Sequence, residues 1–386
     1  MRILLWHVHG GWTDAFVRGP HDYLLPTKPG GGPWGLGRGG RDWPRAQEVA
    51  PQHLREAEVD VVVLQRLEEI REAERLLGRR PGRDLPAVFL EHNTPKQGVP
   101  NTKHPLADQS AIPIVQVTHF NQLFWDSGRA PSVVIEHGIV DPGYRYGGDR
   151  SGFGVVINEP LRRWRVTGTD LLPRFAAAGP VTVFGMGGER LPDALGLEPD
   201  RLQWGGDLPT ERLHGELARY AVYLHPLRWT SLGLSLIEAM QLGMPVLALA
   251  STEAVRAVPP GAGAISTDLG ELVAAGRHLL DDPQQAIACG LVARAAALER
   301  YGLQRFLDDW DTLLYDLTRR TMPELPREPP PPSDLTPAAP QDATPPEASP
   351  QDAPPPAPPS NHPPEPWPRT GQPGLTPVAL DERTKL

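Results

Sequence analysis

Residues 225–240 contain residue types at a spacing that could bind a nucleotide. A strand is predicted to end at His225, Gly233 lets the backbone approach a ligand, and a helix is predicted to begin near Leu234. The free amides and positive dipole at the beginning of such a helix suit a pyrophosphate group. Glu238, about one turn into the helix, could accept hydrogen bonds from ribose hydroxyls. Alternatively, Gly233 is only a turn residue and Glu238 an ordinary charge near a helix start.

Short apolar runs predict the strands that would position this segment, because runs without alternation are typical of parallel strands buried on both faces. Amphipathic helices are predicted over residues 46–57 and 68–77, and a glycine-rich linker over 141–152. The alternation of strands and helices predicts two α/β units in tandem. The predicted strands are residues 3–6, 59–64, 87–90, 112–117 and 133–135 in the first unit, and 154–157, 181–184, 221–224, 246–249 and 264–266 in the second.

Two further segments have distinct predictions. Residues 303–318 place apolar side chains three and four positions apart, which predicts a helix that covers a groove with one face. Residues 26–44 are rich in glycine and proline and predict a mobile surface loop beside the first domain. We therefore divide the chain into a domain at 1–150, a domain at 151–302, a helix at 303–320 that packs back toward the first domain, and a tail at 321–386.

The composition predicts the structural state of the tail and limits the classes of possible partner. Of the 47 prolines, 22 lie within residues 323–377, so we predict a disordered and dispensable tail. The tail holds nine acidic and four basic residues, which leaves about −4 of the net charge of −9 for the rest. This balance does not favour nucleic acid or anionic membranes as partners. The single cysteine, Cys289, and the short apolar N-terminus predict a cytoplasmic protein without a transmembrane segment.

Residues 225–246 are similar to the donor-site signature of group 1 (family 4-like) retaining glycosyltransferases. The residues in register are Pro226, Gly233, Leu234, Glu238, Ala239, Met240, Gly243, Pro245 and Val246. The resemblance implies the GT-B fold, in which two Rossmann-like domains face each other across a cleft. It also implies that the donor is bound by Thr230, Ser231, Leu232, Gly233 and Leu234, with a catalytic role for Glu238. The first glutamate of the family's pair is replaced by Thr230, which brings no negative charge.

Weaker matches extend the resemblance into the first domain. The pair Gly10 and Gly11 resembles the family's glycines that approach phosphate and acceptor, although a glycine pair alone is more often a turn. His92 resembles the family's histidine that touches the transferred sugar, and the alternative is a capping or surface histidine. His119 and His137 are interpreted as structural, and no spacing of ligands indicates a metal site.

In the second domain, residues 158–170 resemble the family segment whose arginine and lysine neutralise the leaving diphosphate. Thr167 replaces that lysine. Arg162, Arg163 and Arg165 lie just upstream and could supply that charge instead, because guanidinium groups bind phosphate oxygens. Arg162 is the best aligned of the three and is assigned the catalytic role. A solvated basic turn is the alternative for each arginine. Arg228, inside the donor segment, is a further candidate for binding the diphosphate.

Two glycine-containing stretches complete the matches. Gly185 and Gly187 resemble the family's Gly-x-Gly, which brings a backbone loop under the donor. Residues 204–208 lie where relatives place the loop that frames the nucleobase. A dinucleotide fingerprint is not supported, because no acidic ribose partner follows at the required distance.

The resemblance implies transfer of a hexose-type sugar from a nucleotide-diphosphate sugar, with retention and without a metal or other cofactor. The acceptor, a glycan, lipid or small molecule, is left open. Three alternatives stay open as well. One is a nucleotide-sugar epimerase, for which no added acidic pair is evident. Another is a non-catalytic sugar-binding relative, because Thr230 and Thr167 each replace a charged residue. The last is an interaction protein whose proline-rich tail docks in aromatic grooves.

Overall fold

A computed structural model describes residues 1–319 of the chain. Residues 320–386, which include the predicted disordered tail, lie outside the described residues. Among the described residues, no helix is both long enough and apolar enough to cross a membrane.

The first domain is built on a parallel sheet of seven strands with the order β3-β2-β1-β4-β5-β6-β7. Ile3 in the central strand β1 pairs with Tyr23 on one side and with Val61 on the other. The strands are β1 (Arg2–Leu5), β2 (Asp22–Pro26), β3 (Ala46–Val49), β4 (Val61–Leu64), β5 (Ala87–Glu91), β6 (Ile114–Gln116) and β7 (Ser132–Val134), and the helices are α1 (Gly10–Phe16), α2 (Glu68–Leu77) and α3 (His119–Phe124).

The second domain has a six-stranded parallel sheet with the order β10-β9-β8-β11-β12-β13. Its strands are β8 (Arg150–Val156), β9 (Val181–Phe184), β10 (Leu202–Gly206), β11 (Tyr220–His225), β12 (Val246–Leu249) and β13 (Gly263–Ser266). Its helices are α4 (Pro160–Thr167), α5 (Leu172–Ala176), α6 (Leu191–Leu195), α7 (Thr210–Leu217), α8 (Leu234–Leu242), α9 (Ala254–Ala257), α10 (Leu269–Asp281) and α11 (Pro283–Tyr301). The two sheets confirm the predicted pair of α/β units.

The strand order in both sheets reverses direction beside the first strand of the domain, between β1 and β4 and between β8 and β11. In doubly wound sheets a crevice forms at this point, outside the carboxyl ends of the strands. The loops that follow β1, β8 and β11 therefore open into the places where ligands bind. The glycine pair begins α1 directly after the first of these loops, and the segment after β11 occupies the last.

The last helix, α12 (Leu303–Thr318), returns to the first domain. Its apolar face, which includes Phe306, Trp310 and Leu314, joins the core that contains Ile3 and Val61. A Cβ atom at Gly138 would overlap the side chain of Phe306, so α12 packs directly on the turn after β7. The amphipathic pattern of this helix is thus satisfied by burial against the first domain.

The predicted helix over residues 46–57 is wrong. Residues Ala46–Val49 form strand β3 beside β2, and only the 3₁₀ turn Pro51–His53 follows. Glu48 faces solvent at the edge of the sheet. The apolar residues of this segment have a helical spacing, but pairing with β2 makes it a strand. Strands β2 and β10 were not predicted. The loop at residues 26–44 is anchored by Trp43, which is 1% exposed and donates from Nε1 to Oδ1 of Asp14 at 2.8 Å.

We predict that Trp310→Ala destabilises the protein by about 3 to 5 kcal/mol, because it removes a large buried side chain from the core. Trp310 is 1% exposed and packs against Trp12 and Phe16 with ring centroids 5.5 and 5.0 Å away. Urea unfolding measures the change. Thr312→Ala, on the exposed face of the same helix, is the matched control and should change stability by less than about 0.5 kcal/mol. Equal stabilities of the two variants would contradict the packing described for α12.

Candidate functional site

A cavity of about 1100 Å³ lies between the carboxyl ends of the two sheets. The first domain contributes Gly10, Gly11 and His92 to its lining, and the second contributes residues from the loops after β8, β9 and β11. The switch points of both sheets thus open into one space. Most of the predicted site residues line it: Gly10, Gly11, His92, Arg162, Arg163, Gly185, Thr230, Ser231, Leu232, Gly233, Leu234 and Glu238.

The loop between β11 and α8, residues 226–233, is shaped by a buried histidine and a glycine. We call it the donor loop after the donor-site signature that its sequence resembles. His225 ends β11 at 1% exposure, and burial lowers its pKa to about 3, so the imidazole is neutral. A Cβ atom at Gly233 would lie 2.9 Å from Cε1 of His225, so a larger residue would push the loop outward. The helix begins at Leu234, as predicted, and ends at Gly243 with φ of 87°.

Glu238 lies on the first turns of α8 and lines the cavity. Its Oε2 lies 3.6 Å from Nε2 of His214, a 5% exposed histidine on α7. A carboxylate in this position has lone pairs available for hydroxyl donors. Together with the free amides at the beginning of α8, it offers an acceptor and several donors to one ligand.

The arginines after β8 differ in their environments. Arg162 forms an ion pair with Glu159, and 69% of its side chain is exposed. Arg163 is half-buried and has no hydrogen-bond or ion-pair partner for its guanidinium within residues 1–319, and burial, followed by the charge of Arg162, lowers its pKa. Arg228 donates to both carboxylate oxygens of Asp170 at 2.5 and 2.9 Å and does not line the cavity. Among the three, Arg163 therefore has the most free charge beside the cavity.

Thr167 has a structural position. It is fully buried, and its Oγ1 is 3.2 Å from the carbonyl oxygen of Trp164 and 3.0 Å from Oγ1 of Thr169. The next residue, Gly168, has φ of 71°, and a Cβ atom there would overlap the carbonyl oxygen of Pro226. This close approach holds α4 against the start of the donor loop.

The loop after β9 forms another part of the wall. Gly185 has φ of 118°, and a Cβ atom there would lie 2.5 Å from the carbonyl oxygen of Ile157. Gly187, with φ of 72°, continues the loop but does not line the cavity. Of the predicted base-framing segment 204–208, Asp207 and Leu208 line the cavity. Trp204 of the same segment stabilises the loop after β9, because its Nε1 donates to the carbonyl oxygen of Gly185 at 2.8 Å.

Three histidines meet on the first-domain wall. His9 and His92 have ring centroids 3.8 Å apart, and His137 is 6.3 Å from His92. Burial lowers the pKa of His9, lowers that of His92 well below its usual value, and lowers that of His137 to about 4. The interpretation of His137 as only structural missed its place on the cavity wall. Among residues 1–319, no three ligating side chains are arranged to hold a metal ion.

The protonation of His92 follows from its neighbour Gln65. Nε2 of Gln65 donates to the carbonyl oxygen of Trp6 at 2.9 Å, so its amide oxygen is the atom 3.2 Å from Nε2 of His92. Nε2 of His92 therefore carries the proton, and Nδ1 is an acceptor. Trp12 packs edge-on against His92 at 5.8 Å and against Trp310 of α12, so the last helix supports this wall.

Comparisons with known proteins agree with this geometry. Residues 169–282 match the family described as glycosyl transferases group 1. The structure is similar to sucrose-phosphate synthase from Thermosynechococcus elongatus, with 16% identity, a TM-score of 0.61, and coverage of 83% of this chain and 99% of that one. It is also similar to Anabaena HepE in complex with UDP-glucose, with 16% identity, a TM-score of 0.61, and coverage of 82% and 100%.

A glycosyltransferase from Rickettsia africae is a further neighbour, with 12% identity, a TM-score of 0.58, and coverage of 83% and 99%. No protein with curated annotation matches the sequence significantly. These likenesses and the two facing Rossmann-like domains confirm the predicted GT-B fold. The family match includes Gly185 and Glu238, so it covers much of the second-domain wall.

We predict that His137 makes the protein less stable as pH falls from about 7 to 5. An unfolded histidine has a pKa of about 6.5 and the folded His137 one of about 4, so the unfolded state binds more protons in this range. The loss from His137 alone is about 2 kcal/mol at pH 5. Urea unfolding at both pH values should show a smaller loss for His137→Gln than for the wild type. His119→Gln, at an exposed histidine, should retain the full dependence.

Proposed function

We propose that the protein is a glycosyltransferase that moves a hexose-type sugar from a nucleotide-diphosphate sugar to an acceptor, with retention of anomeric configuration. The observation that carries the proposal is the cavity in which the donor loop and Glu238 face His92 and the glycine pair of the first domain. The UDP and UDP-glucose in the HepE structures support a uridine donor. The cytoplasm is proposed as the location.

The second-domain wall binds the donor in this proposal. The amides at the beginning of α8 and the guanidinium of Arg163 bind the diphosphate, and Glu238 binds the ribose hydroxyls. When the bond between the sugar and the diphosphate breaks, its electron pair stays on the diphosphate. Amides and a cation already directed at that group stabilise the developing charge without reorganisation.

The first-domain wall positions the sugar and the acceptor. Nδ1 of His92 accepts a hydrogen bond from a hydroxyl of the transferred sugar, because Gln65 fixes the proton on Nε2. The acceptor hydroxyl forms the new bond to the sugar and releases its proton. The products are the glycosylated acceptor, the nucleoside diphosphate and a proton.

A second candidate function is nucleotide-sugar binding without turnover. Thr230 brings no carboxylate to the donor loop, and Thr167 is committed to hydrogen bonds inside its own segment. Two charges of the family signature are therefore missing from this chain. Turnover, rather than binding, separates the two functions.

We predict that the wild type binds UDP-sugars and releases UDP, and that Glu238→Ala weakens donor binding about 10- to 100-fold. The loss corresponds to removal of charged hydrogen bonds to the ribose. Calorimetry over a panel of nucleotide sugars measures binding, and UDP or GDP release measures turnover. Nuclear magnetic resonance of the product reports its anomeric configuration.

Glu211→Ala is the matched control, because this glutamate lies on α7 of the same domain with 79% of its side chain exposed and outside the cavity lining. Binding without turnover, even with acceptor extracts present, supports the second candidate. If no nucleotide sugar binds, both candidates fail. A product with inverted anomeric configuration would support the transferase function and contradict the proposed retention.

We also predict that Arg163→Ala weakens UDP binding about tenfold, and more than Arg162→Ala does. Within residues 1–319 no carboxylate forms an ion pair with Arg163, whereas the charge of Arg162 is balanced by Glu159 and screened by solvent. Titration calorimetry with UDP compares the variants. Arg165→Ala is the control, since Arg165 pairs with Asp170 and lies outside the cavity lining. A larger effect at Arg162 would instead favour the assignment made from the sequence.

A further inference from the structure

The two walls of the cavity differ in their charged groups. The second-domain wall has both signs, with arginines beside Glu159, Asp207 and Glu238. Within the described part of the chain, every carboxylate that lines the cavity belongs to that domain. The first-domain wall has two cations, Arg41 and Lys96, next to histidines that burial keeps neutral. The first-domain wall is therefore positive, with no carboxylate of its own to balance it.

Arg41 is brought to the cavity by the anchored loop at residues 26–44. Trp43 is buried in the first-domain core, and the Arg41 guanidinium lies 5.7 Å from the centroid of its ring. Nη2 of Arg41 would lie 2.9 Å from a Cβ atom at Gly10, so the glycine leaves space for the guanidinium. No described residue forms an ion pair with Arg41. Its charge also lowers the pKa of His7, after the larger effect of burial.

Lys96 reaches the same wall from the segment after β5, four residues beyond His92. The preceding Pro95 accepts a hydrogen bond at its carbonyl oxygen from Nε1 of Trp229, at 2.8 Å. This contact holds the segment beside the donor loop. Among residues 1–319, no carboxylate pairs with Lys96, so both cations of the wall are available to a ligand.

We infer that the acceptor carries a phosphate group, which Arg41 and Lys96 bind on the first-domain wall. The inference rests on the proposed function, because the donor's diphosphate occupies the opposite wall. A phosphate monoester has a charge of about −1.5 to −2 near neutral pH, which two cations balance. The neutral histidines add hydrogen-bonding groups without adding charge.

The phosphate group takes no part in the bonds that change. A hydroxyl oxygen of the acceptor forms the bond to the sugar, the bond between the sugar and the diphosphate breaks, and the hydroxyl proton is released. The products are a glycosylated phosphate compound, the nucleoside diphosphate and a proton. Arg41 and Lys96 determine specificity by holding the acceptor at a fixed distance from the donor sugar.

The test compares acceptors that differ only in the phosphate: glucose 6-phosphate with glucose, and glycerol 3-phosphate with glycerol. Vesicles of phosphatidylinositol and of phosphatidylcholine distinguish a lipid source from a small molecule. In the wild type we expect kcat/KM for the phosphorylated member of a pair to exceed that of its partner about 10- to 100-fold. Inorganic phosphate should compete with the acceptor and should bind the UDP-loaded protein in calorimetry.

Arg41→Ala and Lys96→Ala should each reduce the ratio of kcat/KM for the phosphorylated acceptor to kcat/KM for the neutral acceptor about tenfold. Each variant should also bind inorganic phosphate more weakly. Arg38→Ala, in the same loop but outside the cavity lining, and Lys103→Ala, at a lysine paired with Asp108, are the matched controls and should keep the ratio.

Three results would overturn the inference: equal kcat/KM for both members of each pair, no binding of inorganic phosphate or phosphorylated compounds to the UDP-loaded protein, or a loss of UDP affinity in Arg41→Ala that equals its loss of phosphate affinity. Failure of the proposed function is distinguishable, because then either no nucleotide sugar binds or none is turned over with any acceptor, phosphorylated or neutral.

Discussion

The arrangement of the two domains depends on a fully buried carboxylate, that of Glu253. Its Oε2 accepts from the backbone N–H of Phe120 in the first domain at 2.8 Å, and its Oε1 accepts from Arg256 and Arg300, each at 3.0 Å. Arg300 also donates from Nε to Glu136 of the first domain at 3.0 Å. A buried charge is tolerated only when it is paired and hydrogen-bonded, and removing one partner is strongly destabilising. This network therefore fixes how closely the domains approach and how wide the cavity is.

The donor loop is itself part of the junction. Oγ of Ser231 lies 2.8 Å from Oγ1 of Thr118, and Trp229 packs edge-on against Phe120 and Phe124 at 5.4 and 5.8 Å. The loop that follows β11 is thus shaped by the first domain as much as by its own. Any separation of the domains has to break these contacts together with those of Glu253. The geometry of the second-domain wall and the width of the cavity therefore change together.

The sequence identified features that are locally encoded. The turn at Gly233 and the bounds of α8 were predicted correctly because a glycine, a helix start and a terminating glycine lie within 20 residues of one another. The errors arose where pairing between distant segments decides the structure. Residues 46–49 have a helical spacing but form β3 because they pair with β2, and the apolar runs of β2 and β10 are interrupted by polar, proline or glycine residues. Arg41, Lys96 and His137 come from three separate segments, and only folding brings them to one wall.

Thr230 shows how these constraints bear on the chemistry. It lies between Trp229 and Ser231, which both contact the first domain, so its backbone is held at the junction of the walls. Glu159, Asp207 and Glu238 already give the second-domain wall three carboxylates. A fourth at position 230 would compete for the charge of Arg163, whereas a neutral threonine leaves that guanidinium to an incoming anion. Under the proposed function, this chain therefore stabilises the transition state through the negative charge on the leaving diphosphate rather than through the positive charge on the sugar.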